Sequence, residues 1–234
     1  MLLRMALIDC LRFRLPLFER NADMIGFYNY TVWLTYLGMI SGVSGLWFAA
    51  TGKPLFAVLC LLFAGFCDLF DGKVARTKKD RTDEERRYGI EIDSLSDLIC
   101  FGVLPAAIGF SIGLKNWYWI PLFCAYVLTA LIRLGYYNVT EESRQKKTKE
   151  VRRFYQGLPV TSAAIIFPLA FIPVFFDVSF AAYIYAALIG LAALLFVTPI
   201  RVLKPRKAGI YVMLAIGAAI GLFFLATYVY RLFA

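Results

Sequence analysis

The sequence predicts an all-α fold, a polytopic membrane helical bundle, and three observations predict it. The first is composition: of 234 residues, 61% are hydrophobic and 18% charged, with a mean hydropathy of +0.69. Such values belong to a membrane chain with little room for a separate soluble domain. The second is segment length. Seven apolar runs, 31–51, 54–75, 90–112, 116–137, 158–176, 179–199 and 209–230, reach or approach the roughly 20 residues of one helical crossing. The third is the placement of positive charge. Residues 1–30, 73–87, 138–153 and 201–207 hold 4, 7, 6 and 4 of the 25 lysines and arginines, whereas the connections between them hold Lys53, Lys115 and, over 177–179, none. Basic and neutral connections alternate at every turn. That pattern orders seven spans in a cell membrane with the N-terminus cytoplasmic and the C-terminus outside.

The chain opens with MLLRMALIDCLRFRLPLFERNADMI, in which Asp9, Arg12 and Arg14 interrupt the apolar run that a secretory signal needs. Residues 1–30 read instead as a cytoplasmic segment lying in the membrane interface, interrupted at Pro16. The first span carries Gly38, Gly42 and Gly45 with Ser41 and Ser44, a spacing that lets a neighbouring helix approach closely. Asn29 and Thr31 stand at its cytoplasmic mouth, suited to helix capping or to a polar ligand contact.

The second span begins at Pro54 and stays apolar to Cys67, after which come Asp68 and Asp71. At about 1.5 Å per residue Asp68 lies roughly 21 Å along the helix from Pro54, just inside the cytoplasmic edge of a core about 30 Å thick. The third span starts with Asp93 and Asp97. Spacings of three and four put each pair on one helix face, so neighbouring helices would bring four carboxylates together. A charge in hydrocarbon costs about 2.5 to 3.5 kcal/mol even on the lenient insertion scale, which makes these acids a functional-site hypothesis. The chain has no histidine, and its five cysteines are scattered without a C-x-x-C pair. Histidine-based triads and thiolate zinc sites are thereby excluded, carboxylates remain as bases, and the oxygen donors favour Mg²⁺ or Mn²⁺. Gly72, Ala75 and Gly89 add small residues near the acids, and Arg76, one turn after Gly72, is placed to meet a phosphate.

The fourth span contains Arg133 in an otherwise apolar run, where a guanidinium needs a carboxylate or phosphate partner or must snorkel to the interface. The connection that follows holds Arg152 and Arg153, candidates for an acceptor carboxylate or a lipid phosphate beside their plain topogenic role. Pro168, Pro173 and Asp177 interrupt the fifth and sixth spans. The alanine-rich AAYIYAALIGLAALL reads as a packing or dimer surface. The seventh span follows the basic cluster RVLKPRK. A net charge of +9 fits this topology and attraction to anionic lipid, with no nucleic-acid partner.

The acids and their neighbours carry a resemblance. Asp68, Asp71, Gly72, Ala75, Arg76, Gly89, Asp93 and Asp97 fit, in order, D-x-x-D-G-x-x-A-R followed by G-x-x-x-D-x-x-x-D, the signature of the CDP-alcohol phosphotransferase family. The spacer from Arg76 to Gly89 holds 12 residues, more than is usual in the family, and its extra turn is charged. GIEIDSLSDLICFGVLPA and FYQGLPVTSAA are similar to blocks of the phosphatidylserine synthases within that family. RLGYYN keeps Arg133, Leu134 and Asn138 of the corresponding R-L-A-R-F-N block but has Tyr136 for its second arginine. The resemblance implies a six-span core to which the seventh span is an addition, a transmembrane catalytic domain over 31–234, and a homodimer. It implies transfer of a phosphatidyl group from CDP-diacylglycerol, drawn from membrane lipid, to L-serine with release of CMP. Asp68, Asp71, Asp93 and Asp97 would hold two Mg²⁺ or Mn²⁺ ions, with Asp97 also the general base. Asp68, Gly72, Ala75, Arg76, Gly89, Asn29 and Thr31 would border the nucleotide.

Three other readings compete. Within the family, an inositol-phosphate or glycerol-phosphate acceptor calls for more convergent arginines, and the RLGYYN departure leaves it open. A divalent-cation transporter predicts acids near mid-membrane on several helices, whereas these four share one cytoplasmic depth. A purely structural membrane protein gives no reason for buried acids.

Overall fold

The computed structural model describes residues 26–75, 77–78, 80–147, 154–203 and 207–233. The expected interfacial segment therefore lies, up to residue 25, outside the described residues, as do Arg76, Arg152 and Arg153. Helices α1 (Trp33–Ala50) and α2 (Pro54–Ala75) form an antiparallel hairpin, followed by α3 (Asp83–Asp97). A π-helical stretch, Leu98–Val103, runs on into α4 (Leu104–Ser111). Then come α5 (Ile120–Lys147), strand β1 (Phe154–Gln156), α6 (Ala163–Phe175), α7 (Ala181–Val197), β2 (Arg201–Leu203) and α8 (Lys207–Phe233). Among the described residues, five stretches are long and apolar enough to cross a membrane, namely Tyr30–Ala50, Pro54–Ala75, Asp83–Ser111, Trp117–Arg144 and Tyr211–Tyr230. Val160–Phe175 and Ala181–Val197 are shorter apolar helices. The protein is an all-α multi-pass membrane protein, and all seven expected spans are helical.

The two shorter helices are the fifth and sixth expected spans, and Asp177 falls in the connection between them. Pro168 and Pro173 lie inside α6, each removing a backbone donor, and at 13 residues α6 is only about 20 Å long. The alanine-rich side of α7 (Ala181, Tyr185, Ala186, Ile189, Ala192, Ala193) is buried, packed against α5 and α6. The small residues of α1 serve the close packing expected of them. A Cβ on Gly42 would stand 2.5 Å from the Cys100 sulfur, and one on Gly45 would stand 2.9 Å from a Leu104 methyl.

The π-helical stretch follows from Pro105. Proline has no N–H, so the carbonyl four residues earlier, that of Phe101, loses its α-helical donor. The buried Tyr126 hydroxyl of α5 donates to this carbonyl at 2.7 Å, and the buried Tyr185 hydroxyl of α7 donates to the Pro105 carbonyl at 3.0 Å. Both tyrosines flank Phe167, with ring centroids 5.6 and 5.2 Å away. A tyrosine of this aromatic core thus satisfies the carbonyl that the proline leaves over.

A short antiparallel ribbon, not foreseen from the sequence, pairs Tyr155 with Val202. It ties the connection before α6 to the connection before α8, so these two basic segments share one end of the bundle. Gly157, which follows β1, has φ +78°, and a Cβ there would sit 2.8 Å from the Phe196 carbonyl oxygen. Its N–H donates to the Ile200 carbonyl at 2.8 Å. A left-handed, tightly covered position of this kind suits glycine alone.

Candidate functional site

The end of α2 and the run of α3 toward the π-helical stretch bring the expected acids together. Among the described residues, Asp68, Asp71 and Asp93 each offer a carboxylate oxygen such that all three lie within 4.8 Å of one another. Asp97, one turn beyond Asp93, lines the same small cavity, and both Asp71 and Asp97 are only 8% exposed. Thr35, Gly38, Cys67, Ser96, Cys100 and Phe101 are among its other walls. The helices form up to these acids because Pro54 fixes φ at the start of α2, while Thr82 and Glu85 make a reciprocal capping box at the start of α3.

The donor set matches the requirement of a hard divalent cation: carboxylate oxygens at coordination spacing with a hydroxyl beside them. The Thr35 hydroxyl of α1 donates to Asp71 Oδ2 at 3.3 Å. The Cys100 thiol beside the acids donates to the Gly38 carbonyl at 3.4 Å and so acts as a packed hydrogen-bond donor. Repulsion among carboxylates this close and this buried is relieved when a cation lies between them.

The other expected residues surround this cluster. Gly72 is exposed, and a Cβ there would meet no atom within 4 Å, leaving open the side from which a ligand reaches the acids. Ala75, at the last position of α2, is half-buried. Asn29 caps the short 3₁₀ turn Tyr30–Val32: its side-chain oxygen accepts from the Thr31 N–H at 3.1 Å and from the buried Thr31 hydroxyl. Its amide nitrogen donates to Glu85 Oε1 at 3.1 Å. The capping alternative for Asn29 is therefore what the structure shows, with a bridge to α3 added. Arg133, 5% exposed, lies with its guanidinium 5.3 Å from the Tyr137 ring and Nε beneath Gly157, 3.3 Å from where a Cβ would stand.

Sequence reasoning missed a second set. Thr35 is one helical turn from Thr31 on the same face, and that period was the available signal. Lys78, Arg81 and Glu85 come from the long spacer. Lys78 pairs with Glu85 Oε1 at 2.8 Å, and Arg81 Nη2 donates to the Glu85 carbonyl at 3.1 Å. The same guanidinium lies over Gly89, where a Cβ would be 2.5 Å from Nη2. On the other side Asn138 of α5 donates to Ser94 Oγ at 2.8 Å, so the RLGYYN and DSLSD segments touch directly.

Comparison with known proteins gives the family. The profile of the CDP-alcohol phosphatidyltransferase family matches residues 28–197, from the Asn29 turn through the end of α7. The chain belongs to the CDP-alcohol phosphatidyltransferase family. Its helix α8 lies beyond the matched region. CDP-diacylglycerol–serine O-phosphatidyltransferase of Saccharomyces cerevisiae is 34% identical over 148 residues, 58% of this chain and 52% of that protein. The protein of the same name from Mycobacterium tuberculosis is 30% identical over 134 residues, 56% of this chain and 45% of that protein. A third, from Bacillus subtilis, is 34% identical over 87 residues, 36% and 47% of the two chains. The chain thus spans about half the length of the curated relatives it matches.

Proposed function

We propose that this protein transfers a phosphatidyl group from CDP-diacylglycerol to L-serine, giving phosphatidylserine and CMP. The observation that carries the reading is the meeting of Asp68, Asp71 and Asp93, with Asp97 in the same cavity, at the positions of the family signature. The serine acceptor draws its support from the relatives, each of which is named for it.

Asp68, Asp71 and Asp93, with Asp97, would hold the divalent ions. Bound there, Mg²⁺ or Mn²⁺ would supply Lewis-acid polarisation of the donor pyrophosphate and neutralise charge on the departing CMP. The chain's own residues supply position and proton transfer. The open side of Gly72 admits the phosphates, and the Asn29, Lys78 and Glu85 network holds the mouth of α1 against α3. The serine hydroxyl oxygen forms the new bond to the phosphatidyl phosphorus as the bond from that phosphorus to the CMP oxygen breaks. Its proton passes to the Asp97 carboxylate. Arg76, Arg152 and Arg153 are assigned to donor phosphate and acceptor carboxylate by their sequence positions. Arg133 orders the acceptor side through Tyr137 and the Gly157 turn.

The test is an acceptor screen. Purified protein with CDP-diacylglycerol and Mn²⁺ or Mg²⁺ is expected to release CMP when L-serine is added, and to stop when the metal is chelated. Release with inositol phosphate or glycerol phosphate alone would overturn the serine assignment. No release with any alcohol would overturn the enzyme reading.

A further inference from the structure

Helices α2, α6 and α8 enclose a cavity of about 430 Å³, a volume within the range of about 300 to 1,000 Å³ typical of ligand sites. Its walls are almost wholly apolar, among them Leu62 and Phe66 of α2, Ile165 of α6, and Leu214, Gly217 and Gly221 of α8. Among the described residues, the one charged residue lining it is Asp68, which is also one of the three clustered carboxylates. The cavity and the candidate site therefore share a side chain. Phe63 and Phe66, also in the lining, are 50% and 48% exposed on the outside of the bundle, so the cavity opens toward lipid.

We infer that α8, which the family match leaves out, closes an acyl-chain groove for the phosphatidyl donor, and that Gly217 and Gly221 set how bulky a chain it admits. The inference rests on the donor proposed above. The occupant follows from the two ends of the cavity. One end holds Asp68, a carboxylate of the cluster that the proposal above sets at the donor pyrophosphate, and the other is an opening onto hydrocarbon. A ligand that satisfies both is a lipid with a phosphorylated head. A second copy's helix, the other candidate for an apolar face bearing G-x-x-x-G, would have no use for Asp68.

The glycines are suited to this role by geometry. A Cβ on Gly217 would lie 4.0 Å from a Leu62 methyl, and one on Gly221 would lie 3.9 Å from its other methyl. Alanine therefore enters at ordinary contact distance, whereas the longer side chain of leucine must extend into the cavity. Neither change harms the helix, since both residues favour it over glycine.

CMP release from CDP-dipalmitoylglycerol and from CDP-dioctanoylglycerol, with L-serine and Mn²⁺, tests the groove in the full chain. In Gly217→Leu or Gly221→Leu the ratio of dioctanoyl to dipalmitoyl rate should rise by about tenfold, the scale of discrimination for hydrophobic bulk in a pocket, while Gly217→Ala keeps the wild-type ratio. Release by wild type with unchanged ratios in both leucine variants would overturn the groove and leave the transferase reading standing. No release by wild type from either donor would overturn both. Cross-linking of the wild-type chain by a CDP-diacylglycerol with a photoreactive acyl terminus is independent of variant folding. Adducts on α8 between residues 213 and 221 support the groove, and adducts only on helices other than α2, α6 and α8 overturn it.

Discussion

Asp97 and Thr35 act on the same cluster in different ways, and substitution separates them. Asp97→Asn keeps the shape of the buried side chain and one oxygen but removes the proposed base. Turnover should fall by about 10² to 10⁴-fold, the usual contribution of a general base, while binding of a CDP-containing nucleotide, measured calorimetrically, persists. Near-normal turnover would move the base elsewhere. Thr35→Val removes only the hydroxyl that donates to Asp71. The Mn²⁺ concentration for half-maximal CMP release should rise about tenfold, as for other residues that orient a ligand, with the rate at saturating Mn²⁺ little changed. The acids were legible in the sequence because a carboxylate at the end of an apolar run is costly and so conspicuous. Thr35 was not, because hydroxyls in such helices commonly bond their own backbone, as Ser44 does to the Ile40 carbonyl and Thr129 to that of Tyr126.

The elements were legible wherever apolar length alone decides them. Each of the seven expected spans is a helix, and the two that sequence interrupts with Pro168, Pro173 and Asp177 are the two short ones. Tertiary pairing hid the rest. Strands of three residues in basic connections carry no periodicity, and the β1 and β2 ribbon exists because Gly157 turns the chain back under the end of α7. The π-helical stretch had a sequence marker in Pro105, but its stability depends on a hydroxyl 25 residues away. Tyr126→Phe tests that dependence. It leaves the Phe101 carbonyl buried without this donor and should lower unfolding free energy by about 1 to 3 kcal/mol, read as a lower melting temperature in detergent. Because the stretch begins at Leu98, directly after Asp97, CMP release should fall as well. An unchanged melting temperature would show that the carbonyl finds another partner.

Across the whole molecule, the basic segments are joined at one end of the bundle by specific bonds. Asn29 before α1 bonds Glu85 of α3, and Ser94 of α3 bonds Asn138 near the end of α5. Tyr136 of α5 bonds Gln156 of β1 at 3.2 Å, and β1 pairs with β2 before α8. The carboxylate cluster lies at this same end, since α2 and α3 carry it toward the connection that Asn29 touches. Positive charge resists translocation, so this end, with the acids, should be cytoplasmic. Seven spans would then leave the C-terminus on the opposite face. A reporter enzyme active only outside the cytoplasm should be active when fused after Ala234 and inactive when inserted after residue 145. Activity at 145 alone would invert the protein in the membrane and place the acids away from cytoplasmic serine. Activity at neither would mean that α8 does not cross, in which case it could not wall a groove that opens toward lipid from within the bilayer.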